Sequence, residues 1–234
     1  MSRTVMIATP TKSGDVTCYY ATALAATMVH SVKQGMNVFP MFIPHDNFIH
    51  HTRNRFLKMM REQNCTDILF ADADNDWQPE WVATLLNHPV DCVGGTYPRK
   101  QDQEHYEFRS TAATLKRCAA TGLIEVDGLG AGFLRLSRKA VDALWVTSKP
   151  YRNRGEEHRM MCEVAVVDGE LYGEDTTLIA NLAKLGIKTY LDDRMTCGHT
   201  GTKRWTGDVR PWLGKVGLQA TAVKAGPDTR KALP

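Results

Sequence analysis

Thr66-Asp67-Ile68-Leu69-Phe70-Ala71-Asp72-Ala73-Asp74-Asn75-Asp76-Trp77 is the stretch whose reading decides the fold. Its apolar half, Ile68 to Ala71, is short and bounded by polar residues, the pattern of a strand buried on both faces of a parallel sheet. The run then ends in three carboxylates, Asp72, Asp74 and Asp76. Open α/β sheets hold their ligands outside the carboxyl ends of the strands, which is where these acids would lie. Two carboxylates spaced i, i+2 suit a hard divalent cation, and such a cation commonly accompanies a phosphate-bearing ligand. A solvated acidic turn is the alternative, because residues 72–76 are also good turn formers.

Upstream, Val5-Met6-Ile7-Ala8 reads as a first buried strand broken by Thr9-Pro10. A helix is expected over residues 18–33, with Ala21, Leu24, Ala25, Met28, Val29 and Val32 as its apolar face and Gly35 as its stop. Residues 38–43 give a second strand, whose Pro40 suggests an edge position or a bulge. This is a βαβ beginning without the G-x-G-x-x-G turn of a dinucleotide site, so that cofactor class is set aside. A helix follows over residues 52–63, with Phe56, Leu57 and Met60 facing inward. Arg53, Asn54, Arg55 and Lys58 crowd its first turns. Cations are disfavoured at the positive end of a helix dipole, so their presence points to an anionic partner, or else to a solvated basic face. His45, His50 and His51 diverge on one turn and read as loop and helix-surface residues rather than a metal cluster.

Downstream, Gln78-Pro79-Glu80 opens a helix with proline at its first position and Trp81, Val82, Leu85 and Leu86 as its buried face. A strand over residues 90–93 is expected to end at Gly94-Gly95, where glycine permits a sharp turn or close backbone approach. Residues 101–109 read as loop and 114–126 as a hairpin. Residues 129–136 read as a strand with a tight entrance, 139–144 as a short helix and 149–159 as a mobile polar loop. Gly173-Glu174-Asp175 leads into a helix carrying Leu178, Ile179, Leu182 and Leu185 and closing at Gly186. A last strand is expected over residues 187–191.

The 234 residues, 43% hydrophobic and 24% charged, are enough for one large α/β domain with a substantial core. A net charge of +3 lacks the asymmetry of a dedicated nucleic-acid binder. Six cysteines without a CxxC pair read as buried reduced thiols rather than a zinc site or disulfide frame. The N-terminus has no signal-peptide layout and no stretch approaches a membrane span, so a cytoplasmic protein is expected, with no obligate protein partner.

Taken together, these pieces resemble a GT-A fold glycosyltransferase, the nucleotide-sugar-dependent class, in its small bacterial or phage form. The likeness covers residues 5–201, with a basic tail from 201 to 234. It rests on Thr52-Arg53-Asn54-Arg55 ahead of the DxD-like Asp72-Ala73-Asp74, and on Val93-Gly94-Gly95-Thr96-Tyr97-Pro98-Arg99-Lys100. It rests also on the glycine-rich Gly130-Ala131-Gly132-Phe133, on the ED-like Gly173-Glu174-Asp175 and on Gly198-His199-Thr200-Gly201. The resemblance implies an α/β, Rossmann-like fold with a mixed, mostly parallel central sheet flanked by helices. It implies a UDP-sugar donor and a Mn²⁺ or Mg²⁺ ion held by Asp74, with Asp72 on ribose or reached through water and His199 completing the site. Asp175, or Glu174 beside it, would be the base of an inverting transfer. Arg53 and Arg55 would face the diphosphate or sugar, Thr9, Pro10 and Asp15 the nucleoside, and Ala73, Gly130 and Gly132 the rest of the donor. For the acceptor, the basic tail with Trp205 and Trp212 would suit a hydroxymethylated base in DNA. A polysaccharide acceptor, a non-catalytic sugar-nucleotide-binding module and, more remotely, a metal-dependent nuclease are the alternatives.

Overall fold

The computed structural model describes residues 3–111 and 115–215. The first half alternates regularly: β1 (Thr4–Thr11), α1 (Cys18–Lys33), β2 (Asn37–Pro44), α2 (Ile49–Glu62), β3 (Asp67–Ala71), the two-residue β4 (Asn75–Asp76), α3 (Pro79–Asn87) and β5 (Cys92–Thr96). The second half has shorter pieces: β6 (Phe108–Arg109), β7 (Ile124–Val126), β8 (Gly128–Leu129), β9 (Phe133–Ser137), α4 (Arg138–Thr147), β10 (Pro150–Asn153), β11 (Glu156–Arg159), β12 (Ala165–Val167) and β13 (Glu170–Tyr172). It closes with α5 (Glu174–Lys184), β14 (Thr189–Thr196), β15 (Gly198–Thr200), β16 (Arg204–Trp205) and α6 (Val209–Lys215).

Seven strands form the central sheet in the order β2-β1-β3-β9-β5-β14-β7. Five run parallel; β9, wedged between β3 and β5, and the edge strand β7 oppose them. This is the mixed, mostly parallel α/β sheet flanked by helices expected of the GT-A, Rossmann-like class. Both faces are covered, and the two-residue period of each strand divides its side chains between them. Ile68 and Phe70 of β3 join one apolar cluster with Phe56, Leu57 and Met60 of α2 and with Leu178 and Leu182 of α5. Leu69 and Ala71 join the other, with Tyr20 and Ala23 of α1 and Val82, Leu85 and Leu86 of α3. Each such buried leucine or phenylalanine contributes about 1.5–3 kcal/mol.

Several expectations need correction. β1 does not break at Thr9-Pro10 but continues to Thr11. Beyond Ala8 only β2 pairs with it, so the missing proline N–H leaves no ladder bond unmade on the β3 side. The inward face of α1 is Tyr20, Ala23, Thr27 and Ser31, while Val29 and Val32 are exposed. Two of the polar side chains on that face find partners inside: Trp77 Nε1 donates to Thr27 Oγ1 at 2.9 Å, and Tyr20 Oη lies 2.5 Å from Thr9 Oγ1. Helix α2 starts at Ile49, three residues early, and buries Arg53 and Asn54. The glycines at 94 and 95 lie inside β5: a Cβ at Gly95 would come 2.7 Å from Met195 O, and one at Gly94 would collide with Phe133 O, so neighbouring strands close directly on this backbone. Residues 149–159 form the β10–β11 hairpin rather than a loop. Its two-residue turn, Arg154-Gly155, has positive φ at both positions, as a type I′ turn requires. Residues 101–109 are not all loop, since Phe108–Arg109 pairs with Gly128–Leu129. The strand expected to close at 191 continues to Thr196. Four of the six cysteines meet the expectation of burial, while Cys18 is exposed and Cys118 only half-buried.

Part of the hairpin expected over 114–126 lies outside the described residues; β7 pairs with β14. The segment expected as a basic tail folds back: Val209, Trp212 and Leu213 of α6 are buried in the first cluster. Lys224, Arg230 and Lys231 lie outside the described residues. No described helix is long and apolar enough to cross a membrane.

Candidate functional site

A cavity of about 860 Å³ opens at the carboxyl edge of β1 and β3. One wall is the loop from β1 to α1. Gly14 turns it with φ +88°, and a Cβ there would come 2.8 Å from the His45 imidazole, which closes on the loop from the β2 side. Thr17 caps α1, its Oγ1 accepting from Tyr20 N at 3.1 Å, and its own N–H donates to Ala73 O at 3.0 Å. That bond ties the loop to the acidic end of β3.

The acidic end itself splits three ways. Asp72 donates its N–H to Gly132 O at 3.0 Å, and its carboxylate accepts from Arg53 Nη2 at 3.0 Å. Arg53 also donates from Nε to Glu174 Oε1 at 3.1 Å and from Nη1 to Ala131 O at 3.3 Å, with its guanidinium 5.1 Å over the Phe70 ring. Burial alone would lower the pKa of this guanidinium. The facing charges of Asp72 and Glu174 reverse that and hold it above the ordinary arginine value. Asp76 turns outward into a bidentate pair with Arg204, 2.6 and 3.0 Å. Asp74 faces the cavity mouth.

His199 reaches Asp74 because β15 pairs with β4, setting His199 opposite Asn75 and Gly198 opposite Asp76. Glycine at 198 leaves room there for the Asp76 carboxylate, which a side chain would have to push aside. The Pro98 carbonyl, which can only accept, lies 2.8 Å from His199 Nδ1, so Nδ1 carries the proton. His199 Nε2 then stands 3.8 Å from Asp74 Oδ2. The Lys100 ammonium pairs with that same oxygen.

Asp175, in the first turn of α5, lines the cavity with its Oδ1 accepting from Thr176 N at 2.7 Å. Tyr97 lines it too. Burial, and then the negative charges of Asp72 and Asp175, push its phenol well above the ordinary value, so at neutral pH it is an uncharged hydroxyl.

Of the residues expected to form the site, the structure brings Pro10, Asp15, Asp72, Ala73, Asp74, Asp175 and His199 onto one cavity. It does not bring the others there. Thr9 is fully buried beneath it, and Glu174 is turned away to Arg53. Gly130 and Gly132 make room for Tyr97, whose ring atom Cε1 would lie 2.7 Å from a Cβ at 132. Arg53 stands behind Asp72 as its counter-ion. Arg55 lines a neighbouring cavity of about 630 Å³, with Nη1 3.8 Å from Asp46 Oδ2. Sequence reasoning passed over Lys12, Asp46, Glu107, Tyr97 and Lys100. The last two were within reach, since they stand in the quoted stretch 93–100.

Toward the expected divalent ion the donor set is divided. Asp74 and His199 fit, with an imidazole lone pair and a carboxylate oxygen facing one space. Asp72 does not converge on them, and among the described residues no three His, Cys, Asp or Glu side chains group closely enough to hold a metal ion.

The fold is similar to that of A197 from STIV, 17% identical, with 85% of this chain and 86% of that chain covered and a TM-score of 0.51. Weaker likenesses are to S. aureus TarS 1-349, solved in complex with UDP-GlcNAc, and to a glycosyltransferase involved in the glycosylation of the major capsid of PBCV-1. The first is 11% identical over 84% of this chain and 56% of that chain, with a TM-score of 0.44. The second is 10% identical over 59% and 62%, with a TM-score of 0.33. No protein-family model and no curated protein matches the sequence.

Proposed function

We propose that the chain is a glycosyltransferase that takes a nucleotide sugar, a UDP-sugar first, into the large cavity and transfers the sugar to an acceptor hydroxyl. One observation carries this reading: Asp74, Asp175 and His199, far apart in sequence and each given a role by the resemblance, line a single cavity at the carboxyl edge of the sheet. Asp175 takes the proton from the acceptor hydroxyl as its oxygen attacks the anomeric carbon. The bond from that carbon to the diphosphate breaks, UDP departs with the electron pair, and the anomeric centre inverts. The loop of residues 11–17, with Asp15 and Pro10, holds the nucleoside end. Asp74 and His199 would hold a Mn²⁺ or Mg²⁺ ion, which when bound would neutralise charge on the diphosphate.

The sequence leaves two acceptor classes, hydroxymethylated DNA and a glycan, and the packing of Trp212 weighs against the base-stacking role expected of it. The cations of the described tail sit in partly exposed ion pairs that an acceptor could exchange: Lys203 with Asp102, Arg204 with Asp76, Arg210 with Asp208 and Lys215 with Glu104. Trp212 is packed against Tyr106 and Phe108, with its Nε1 donating to Glu104 O at 3.0 Å, and offers no free face for a base. The test is a thermal-shift screen of UDP-sugars followed by an assay of UDP release. A true donor raises Tm by mass action, by about 2.7 kcal/mol of stabilisation at a hundredfold excess over Kd. Absence of any shift across the UDP-, GDP- and dTDP-sugars would remove the reading. For the acceptor, a DNA substrate would lose affinity steeply with salt, about 10³-fold or more between 50 and 200 mM for six or more phosphate contacts, and a glycan would not.

A further inference from the structure

We propose that Lys100 is the resident cation of this site, and that a divalent ion binds Asp74 and His199 only by displacing the Lys100 ammonium. The inference rests on the site as read above and deepens it. Lys100 and His199 converge on the same atom, Asp74 Oδ2. Nor is Lys100 a free arm that happens to fall on an acid. Its stem crosses the backbone of Gly201, where a Cβ would come 3.0 Å from Lys100 Cδ and 3.5 Å from Cε, with the Trp205 ring 3.1 Å away. A side chain at position 201 would crowd that path.

The rest of the site gives a divalent ion little with which to outbid an ammonium already in place. Asp72, the second carboxylate of the DxD-like triplet, is committed to Arg53. Asp76, the third acid of the strand end, is committed to Arg204. His199 is held in place by Pro98 O and by the Tyr97 ring, whose centroid is 5.0 Å away. Two ligands of one negative charge therefore face one positive charge. Lysine suits such a role, because its flexible stem lets the ammonium leave the carboxylate for a phosphate oxygen of an incoming donor. There it would meet developing charge on the departing diphosphate, the task otherwise given to the metal.

Mn²⁺ binding to the nucleotide-free chain, followed by electron paramagnetic resonance or calorimetry, tests this in the wild type and in Lys100→Met, Lys100→Arg and Asp74→Asn. Removing a positive charge from the coordination space should tighten Mn²⁺ about tenfold in Lys100→Met, given that both partners are partly solvated. Lys100→Arg should bind as weakly as the wild type, and Asp74→Asn should abolish binding. UDP-glucose added without metal should stabilise the wild type more than Lys100→Met. Equal Mn²⁺ affinity in the wild type and Lys100→Met, or no Mn²⁺ binding in either, overturns the proposal. Failure of every UDP-sugar to stabilise the wild type would instead remove the glycosyltransferase reading, and the Mn²⁺ comparison would still decide the role of Lys100. If Lys100→Met does not fold, Lys100→Gln serves in its place.

Discussion

Two aspartates, two residues apart on one strand end, belong to different kinds of structure. Asp72 belongs to the floor of the cavity: its partner Arg53 is 3% exposed and also holds Glu174, which is 13% exposed. Asp74 belongs to the rim: it and its partner Lys100 are each 34% exposed. Both carboxylates are ion-paired, yet they do different work. The floor pairing is a three-way clamp joining α2, the end of β3 and α5, in which the two carboxylates are the reason the Arg53 guanidinium can be buried. The rim pairing is a single contact in solvent, of little worth to stability and open to exchange. The same spacing that suggests a two-carboxylate metal grip therefore yields one structural acid and one available acid.

This contrast breaks if a rim-facing residue proves structural or a floor residue proves expendable. The largest effect expected is on rate. Asp175→Asn should lower kcat about 10³-fold in a UDP-release assay while donor affinity holds, because it removes only the proton acceptor. Its stability cost should be no more than about 1 kcal/mol, the worth of a negative charge near a helix N-terminus. A variant that retains activity would move the base to another acid lining the cavity, such as Glu107 or Asp46.

Arg53→Met should do the reverse. Removing the guanidinium leaves Glu174 and Asp72 without their counter-ion, a loss of about 3 kcal/mol. That is the low end for a broken buried pair, because Asp72 keeps 27% of its side chain in solvent. Urea denaturation should show it as a lower midpoint at unchanged slope. If Arg53→Met is as stable as the wild type, the clamp is no clamp and Arg53 is free to serve the donor, as the sequence suggested.

That last reversal shows what the sequence could and could not disclose. The parallel core was legible because burial on both faces writes itself as an apolar run, and Ile68 to Ala71 could hardly be anything else. Which residues share the cavity was partly legible, since Asp74, His199 and Asp175 stand in the stretches that carry the resemblance. What each acid is paired with was not. Arg53 lies 121 residues from Glu174 and Lys100 lies 26 from Asp74, and nothing local in a sequence signals such pairings. The α1 face was missed for a related reason. Hydropathy marks Val29 and Val32 as inward, whereas Tyr20, Thr27 and Ser31 face the core, two of them held by hydroxyl bonds to Trp77 and Thr9. The β10–β11 hairpin was missed because its turn uses Arg-Gly, a weak version of the Asn-Gly signal.

Near the neighbouring cavity the balance of charge can be read by pH. His158 is 3% exposed, between His51, 5.4 Å away, and Tyr151, stacked at 5.3 Å. Burial first, then the positive charges of Lys58 and His51, hold its pKa below the ordinary 6.5, with Glu156 opposing them and Arg55 adding to them. A histidine with a lowered folded pKa binds its proton more readily in the unfolded chain. Its contribution is thus neutral above about pH 6.5 and turns against folding as pH falls below that value. Burial alone would raise the pKa of Asp46, but Phe48 N–H and His51 overcome it and hold the carboxyl below its ordinary range. That adds stability which is present above its unfolded pKa and lost as pH falls further. Protonation of His158 should therefore lower the stability of the chain as pH falls from 7 to 5, read as a lower melting temperature. His158→Gln should flatten that drop, and an unchanged slope would mean the hairpin packing is indifferent to charge.

The smallest effect expected lies at the tip of the same hairpin, where improvement rather than damage tests the contrast. Arg154 is exposed and holds φ +50°, a left-handed backbone that a branched-off cation has no special reason to adopt. Gly155 beside it, at φ +87°, already supplies the second position of the I′ turn. Asparagine tolerates the left-handed region and gives the favoured Asn-Gly pair without the extra unfolded-state freedom that glycine would bring. Arg154→Asn should therefore stabilise the chain by about 0.5 kcal/mol, read as a raised denaturation midpoint, with kcat unmoved. Were Arg154→Asn to cost stability or activity instead, the arginine would be held there by a bound partner or a charge it answers. The hairpin would then have to be counted with Asp74 and Lys100 among the residues kept available for a ligand.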